Sequence, residues 1–235
     1  MSAALYLVPN LLGAVPPADV LPLRTLAVAR TLQHWVVETP KAARAFLKTL
    51  ELAAPIAALD ITPLADAASP AALAALLAPA RGGADIGLLS DAGCPGVADP
   101  GATLVAAAHA AGLRVVPLVG PSALLLALMA AGMNGQRFAF HGYLPVKPDA
   151  RAAALRTLEQ DSRQQQCTQL FIETPYRNAA MLATLGAALA PATVVCVAAD
   201  LTLPSETIER RTAAAWRGVD GARFDRRPAI FLLQG

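Results

Sequence analysis

The feature that most restricts the fold of this chain is its rhythm. Short apolar runs, too brief for helices, alternate with Ala–Leu segments long enough to be helices. ALYLV (Ala4–Val8), HWVVE (His34–Glu38), IGLLS (Ile86–Ser90) and LRVVPLVG (Leu113–Gly120) read as strands. Between them, VLPLRTLAVARTL (Val20–Leu32), KAARAFLKTLEL (Lys41–Leu52), SPAALAALLAPA from Ser69, and ATLVAAAHAAG (Ala102–Gly112) read as helices. Pro22 falls in a first turn, where a missing N–H costs little. Ser69 stands as an N-cap before Pro70, and Gly112 supplies a stop. Strands separated by helices imply βαβ units and a mostly parallel sheet.

The second half changes character near Leu118–Pro121. PSALLLALMAAG (Pro121–Gly132) reads as a helix, and Arg137–His141 alternates like a strand. DARAAALRTLEQDSRQQQ (Asp149–Gln166) is a charged helix with one solvated face. QLFIE (Gln169–Glu173) and TVVCVAA (Thr193–Ala199) are buried-strand candidates around a helix at Tyr176–Leu189. ETIERRT and PAIFLLQ are expected to pair as an antiparallel edge. At ~100–150 residues per domain, the length of 235 residues accommodates two α/β domains, 1–118 and 119–235.

Composition removes several classes of function. Apolar residues make up 55%, charged residues 15%, and the formal net charge is +2, so no global field recruits nucleic acid. Cys94, Cys167 and Cys196 form no CxxC pair, which speaks against a disulfide framework and against a metal site. The start MSAALYLVPN lacks the basic head and apolar core of a signal peptide. No uninterrupted apolar run approaches the ~20 residues that span a bilayer. The expectation is a soluble cytoplasmic protein without a membrane partner.

One loop stands apart from the Ala–Leu background. In LLSDAGCPGVADPG (Leu88–Gly101), Gly, Pro and Asp crowd together after an apolar run. Ligands of open α/β sheets gather beyond the carboxyl ends of strands, and this loop lies at such an end. So do Pro9–Gly13 and the VGPSA turn, Val119–Ala123. Gly93 and Gly96 allow close approach of a ligand to the backbone, while Pro95 and Pro100 stiffen the turn. Asp91 and Asp99 either accept hydrogen bonds from a ligand or cap the loop and the helix after it.

SDAGCPGVADPG followed by VVPLVGPSA resembles the tetrapyrrole methylase superfamily of S-adenosylmethionine-dependent methyltransferases. The nearer resemblance is to its ribosomal RNA branch, which methylates a small-subunit cytidine on its 2′-oxygen. RFAFHGYLPVK, LFIETPYR and AADLTLPSETI resemble further segments of that branch, so the likeness runs from about Leu5 to the end. It implies two αβα domains with S-adenosylmethionine in the cleft between them, and a homodimer. Carried over, Pro9 ends the first strand beneath the cofactor. Asp91, Ala92, Gly93, Cys94 and Val97 line its methionine side. Ser122 and Ala123, at a helix start, touch its carboxylate or ribose. Glu173, Leu201, Pro228, Ala229 and Ile230 frame the adenine.

The chain also departs from the branch. Its first loop reads PNLLGAVPPAD, with Asn10 after Pro9 and Gly13 displaced, and ETPKAAR (Glu38–Arg44) replaces an acidic Asp-Thr-Arg segment. Cys94 stands where the branch has Thr. The cofactor half of the pattern survives better than the acceptor half, which implies a divergent paralogue. A hydroxyl acceptor benefits from a general base, and Glu38 and Glu173 are the candidates, both following apolar strands. An ion pair with Arg177 is the favoured alternative role for Glu173. His141, Tyr143 and Lys147, in and after the GYLP segment, are candidates for substrate contact. Cys94 reads as a small turn residue rather than a nucleophile. Lys147, Arg151 and Arg156, and separately Arg226–Arg227, are basic clusters that could meet RNA phosphates. The leading expectation is a methyltransferase acting on ribosomal RNA. The alternatives are a methyltransferase for a tetrapyrrole or other small metabolite, and a non-catalytic cofactor-binding or interaction protein.

Overall fold

The computed structural model describes residues 3–65 and 69–235. The chain divides into two units, Met1–Ser122 and Ala123–Gly235. The division falls inside the VGPSA turn, a little beyond the 118/119 boundary expected from composition.

In the first unit the elements are β1 (Ala4–Val8), α1 (Pro17–Val20), α2 (Leu23–Thr31), β2 (His34–Val37), α3 (Pro40–Lys48), β3 (Asp60–Pro63), α4 (Pro70–Leu76), α5 (Ala78–Arg81), β4 (Ile86–Leu89), α6 (Ala102–Ala110) and β5 (Arg114–Pro117). The strands form one parallel sheet in the order β3-β2-β4-β1-β5. Continuous apolar runs suit such strands because helices cover both faces. Leu26, Ala29, Phe46 and Leu47, from α2 and α3, pack in one cluster. Leu77, Ala80, Leu104 and Ala108, around α5 and α6, pack in another. Gly87 in β4 makes room for the Trp35 ring, which a Cβ there would meet at 2.7 Å. The connections leaving the adjacent strands β1 and β4 run to opposite sides of the sheet, so their carboxyl ends form a topological switch point. That is where open α/β sheets open a crevice for ligands.

The expected helix Val20–Leu32 is shorter than the sequence suggests. Pro22 is its N-cap rather than a first-turn residue, and Pro17–Val20 forms a separate turn of helix. Ser69 caps α4 as expected, its hydroxyl accepting from the Ala72 N–H at 3.2 Å.

The second unit comprises α7 (Ala123–Ala130), β6 (Phe138–Tyr143), α8 (Pro148–Gln165), β7 (Thr168–Ile172), α9 (Asn178–Ala188), β8 (Val194–Ala199), β9 (Thr207–Thr212), α10 (Ala213–Trp216) and β10 (Ala229–Gln234). Its sheet runs β6-β7-β10-β8-β9. Only β6 and β7 are parallel; the other three pairings are antiparallel. The expected pairing of ETIERRT with PAIFLLQ does not occur, because β8 lies between them. The residues explain why: AIFLLQ is apolar on both faces and takes the central place, while the charged TIERRT takes the edge, where charge discourages further pairing. Stacked Phe171 and Phe231, 5.7 Å apart, and the edge-on pair Trp216–Phe224 anchor the core.

Candidate functional site

In the first unit, the loops after β1, β2 and β4 are stitched together by side chains and backbone. Asn10 is only 5% exposed. Its Nδ2 donates to the carbonyls of Ser90 and Asp91, both at 3.0 Å, and its Oδ1 accepts from the Leu11 N–H at 2.8 Å. Its own backbone N–H donates to the Gly93 carbonyl at 2.8 Å. From the other side, Glu38 Oε2 accepts from the Asp91 N–H at 2.9 Å, and Asp91 Oδ1 accepts from the Thr39 N–H at 3.1 Å. The Gly-Pro-Asp loop is therefore held at both flanks before any ligand arrives. Gly93 lies at φ +63°, where an L side chain is strained. Ala98 adopts φ +65° without being glycine, a strain of the kind that persists where surroundings over-determine it. Gly120 brings the VGPSA turn against β1: a Cβ there would lie 2.3 Å from Cβ of Pro9.

Glu38, Asp91 and Asp99 concentrate negative charge at these strand ends. Burial pushes the Asp99 carboxyl up to about 6, and the charges of Glu38 and Asp91 add to the effect, while hydrogen bonding from Ser90 opposes it. The Cys94 thiol is raised by burial and then by Asp99, and its Sγ lies 3.4 Å from the Pro121 carbonyl. A thiol so placed stays protonated, which supports its reading as a turn residue. Beside the loop lies a recess of about 320 Å³ between Asn10, Leu12 and Asp91 on one side and Ala42, Ala45 and Thr49 of α3 on the other. Val97 is on the exposed outer arm of the loop, and Ser122 precedes α7, which opens at Ala123.

In the second unit, the carboxyl ends of β6, β7 and β8 and the start of β10 share one edge of the sheet. Ile172 is opposite Ile230, and Ala199 opposite Ala229. Glu173, Leu201 and Pro228–Ile230 thus lie near one another at this end of the sheet. The Glu173 side chain is fully buried. Its Oε1 accepts from Arg177 Nε and Nη2 at 3.0 and 2.8 Å and from the Thr174 N–H at 2.7 Å. Its Oε2 is buried without a hydrogen-bond partner, as is the Thr202 hydroxyl. Asp200 and Thr202 both have positive φ, +53° and +72°, and the turn is braced by Arg227 Nε on Asp200 Oδ2 at 2.7 Å. His141 and Tyr143 lie on β6 at a bulge around Gly142, His141 bonded to Gln169 and Tyr143 exposed. Lys147 is the N-cap of α8.

The structure groups Glu38 with the first-unit loops and Glu173 with the second-unit strand ends. Sequence reasoning gave Asn10 no role as a staple, although an Asn directly after a strand-ending Pro is a signal for loop capping. It named Asp99 only as a hydrogen-bond acceptor, because no local signal announces the burial that raises its pKa. Among the described residues there is no cluster able to hold a metal ion, and no helix is long and apolar enough to cross a membrane.

Two α/β units, each with a loop cluster at its strand ends, define a two-domain α/β protein. The structure of the methyltransferase CobJ superposes with a TM-score of 0.65 at 21% identity, covering 100% of this chain and 95% of that one. Uroporphyrin-III-C-methyltransferase from Thermus thermophilus gives 0.59 at 18% identity, covering 99% and 94%. The family described as Tetrapyrrole (Corrin/Porphyrin) Methylases matches residues 17–216, and the chain belongs to it. A relative from Mesorhizobium japonicum named ribosomal RNA small subunit methyltransferase I is 34% identical over 215 residues, 92% of this chain and 69% of the relative. One of the same name from Xylella fastidiosa is 42% identical over 132 residues, 56% of this chain and 47% of the relative. The chain spans about half the length of several such relatives.

Proposed function

We propose that this protein is an S-adenosylmethionine-dependent methyltransferase whose acceptor is a ribose 2′-hydroxyl of small-subunit ribosomal RNA. The observation that carries this reading is the similarity to a relative of that name over 92% of the chain. A cytoplasmic setting and a homodimer belong to the same reading.

The residues present fit the cofactor. Glu38, Asp91 and Asp99 suit its cationic sulfonium and amine. When bound, the cofactor supplies an activated methyl group on sulfur. The work left to the chain is positioning, exclusion of water and handling of one proton. Glu38 spends Oε2 on the Asp91 N–H. Asp99, with its raised affinity for a proton, is the better acceptor of the hydroxyl proton while remaining ionised near neutral pH. Glu173, fully buried and clamped by Arg177, suits a structural role.

Calorimetric titration with S-adenosylmethionine and S-adenosylhomocysteine, with NAD as control, tests the first half of the proposal. One site per chain for the first two and none for NAD is the expected result. Absence of binding would leave only the fold in common with the family.

A further inference from the structure

Helix α3 begins two residues after Glu38 and carries three cations, Lys41, Arg44 and Lys48, all exposed. At 3.6 residues per turn they fall within an arc of about 60°, a single stripe along the helix. Helix energetics explain only Lys48, which lies in the last turn, where the dipole favours positive charge. Lys41 sits in the first turn, where the helix dipole disfavours positive charge. Arg44 and Lys48 are like charges at i,i+4, an arrangement that destabilises an isolated helix by a few tenths of a kcal/mol. The first turn of the helix holds no acidic residue. Among the described residues none of the three cations makes a salt bridge. Arg44 Nη1 makes one long bond, 3.5 Å, to the Pro40 carbonyl, and among the described residues no acid compensates the stripe.

The position of the stripe gives it a meaning. Ala42, Ala45 and Thr49, on the adjoining face of the same helix, line the recess of about 320 Å³ whose other wall includes Asn10 and Asp91. Charge is thus divided across a short distance. Carboxylates stand at the strand ends on the inner side, and unpaired cations stand on the outer side.

We propose that α3 is an RNA-docking surface. The backbone phosphates of the acceptor strand lie along Lys41, Arg44 and Lys48, and the recess beside them receives the sugar and base of the target nucleotide. This rests on the RNA reading above and adds the surface that serves it. An anionic polymer satisfies the stripe, and the carboxylates inside repel its phosphates, which keeps the backbone on the rim. ETPKAAR, where the resembling branch has an acidic Asp-Thr-Arg segment, would then be a basic replacement in the acceptor half.

The test uses the full-length protein and purified small-subunit ribosomal RNA, with affinity measured from about 0.05 to 0.5 M salt. The triple variant Lys41→Gln, Arg44→Gln, Lys48→Gln is compared with wild type and with a control, Arg81→Gln/Arg137→Gln, at exposed residues. Three lost phosphate contacts lower the slope of log K against log salt by about 2. That corresponds to about 100-fold weaker binding at 0.1 M salt, fading toward 1 M. S-adenosylmethionine affinity and the melting temperature remain at the wild-type values, and the control binds RNA like wild type. If wild type binds RNA and the triple variant keeps its affinity and slope, the docking surface is refuted while the RNA reading stands. If wild type binds no RNA, the RNA reading fails and this surface fails with it. A control that weakens as much as the triple variant also refutes the assignment to α3.

Discussion

Replacing Asn10 by alanine should loosen the candidate site from its base. The side chain makes three hydrogen bonds: two donated to the carbonyls of Ser90 and Asp91, some 80 residues away, and one accepted from the Leu11 N–H. At about 1 kcal/mol net for each bond, their loss costs about 3 kcal/mol. For a chain of 235 residues, each kcal/mol lowers the melting temperature by roughly 2–4 °C, so Asn10→Ala should melt roughly 6–12 °C below wild type. Only the backbone bond from Asn10 to the Gly93 carbonyl would still tie the two loops. A site that must order itself on binding loses affinity, so S-adenosylmethionine should bind about tenfold more weakly, equivalent to about 1.4 kcal/mol. Asn10→Asp keeps the acceptor for Leu11 but turns a second oxygen toward two carbonyls, and should melt at least as low. Thermal denaturation and calorimetry on the three proteins decide the matter. If Asn10→Ala melts within about 2 °C of wild type and binds the cofactor equally well, the staple does not hold the loop and the reasoning is wrong.

Other substitutions probe other parts of the account. Gly120→Ala drives a methyl group into the rigid Pro9 ring; an overpacking cost of about 1–3 kcal/mol or more should appear as a lower melting temperature and reduced cofactor affinity. Arg177→Ala strands the buried Glu173 carboxylate, and removing one member of a buried pair costs about 3–5 kcal/mol, measurable by denaturant unfolding. Asp99 gives a pH signature: its folded pKa of about 6 lies above the ordinary value, so between the two the native state holds a proton that the unfolded chain has released. Stability from this group is therefore full below the ordinary carboxyl range and declines as pH rises through about 6; Asp99→Asn should flatten that part of the stability profile, and an unchanged profile would show that Asp99 is not perturbed.

How much of this was legible from the chain depended on whether the controlling interactions are local. β1, β2 and β4 announce themselves as apolar runs because both their faces are buried. β3 escaped notice because DITP is short, polar at its start and ends in Pro63, features that suit an edge strand rather than a central one. The β9–β10 error came from giving chain order more weight than composition: AIFLLQ is apolar throughout, as a central strand requires, and TIERRT is not. The Gly-Pro-Asp loop was visible as a candidate site because its glycines and prolines act locally. The staple by Asn10 and the raised pKa of Asp99 were not visible, since both depend on groups brought together across 50 to 80 residues of sequence by the order β2-β4-β1. The repulsive stripe on α3 was written in the sequence, yet its meaning required knowing that the adjoining face lines a recess.

The most direct test of the central claim is methyl transfer itself. The protein is incubated with S-adenosylmethionine carrying a labelled methyl group and small ribosomal subunits from a strain lacking the corresponding methyltransferase, and the RNA is digested for mass spectrometry of nucleosides. The account predicts one 2′-O-methylated nucleoside per subunit, formed only when cofactor and protein are both present. Tight cofactor binding with no label in ribose would contradict it.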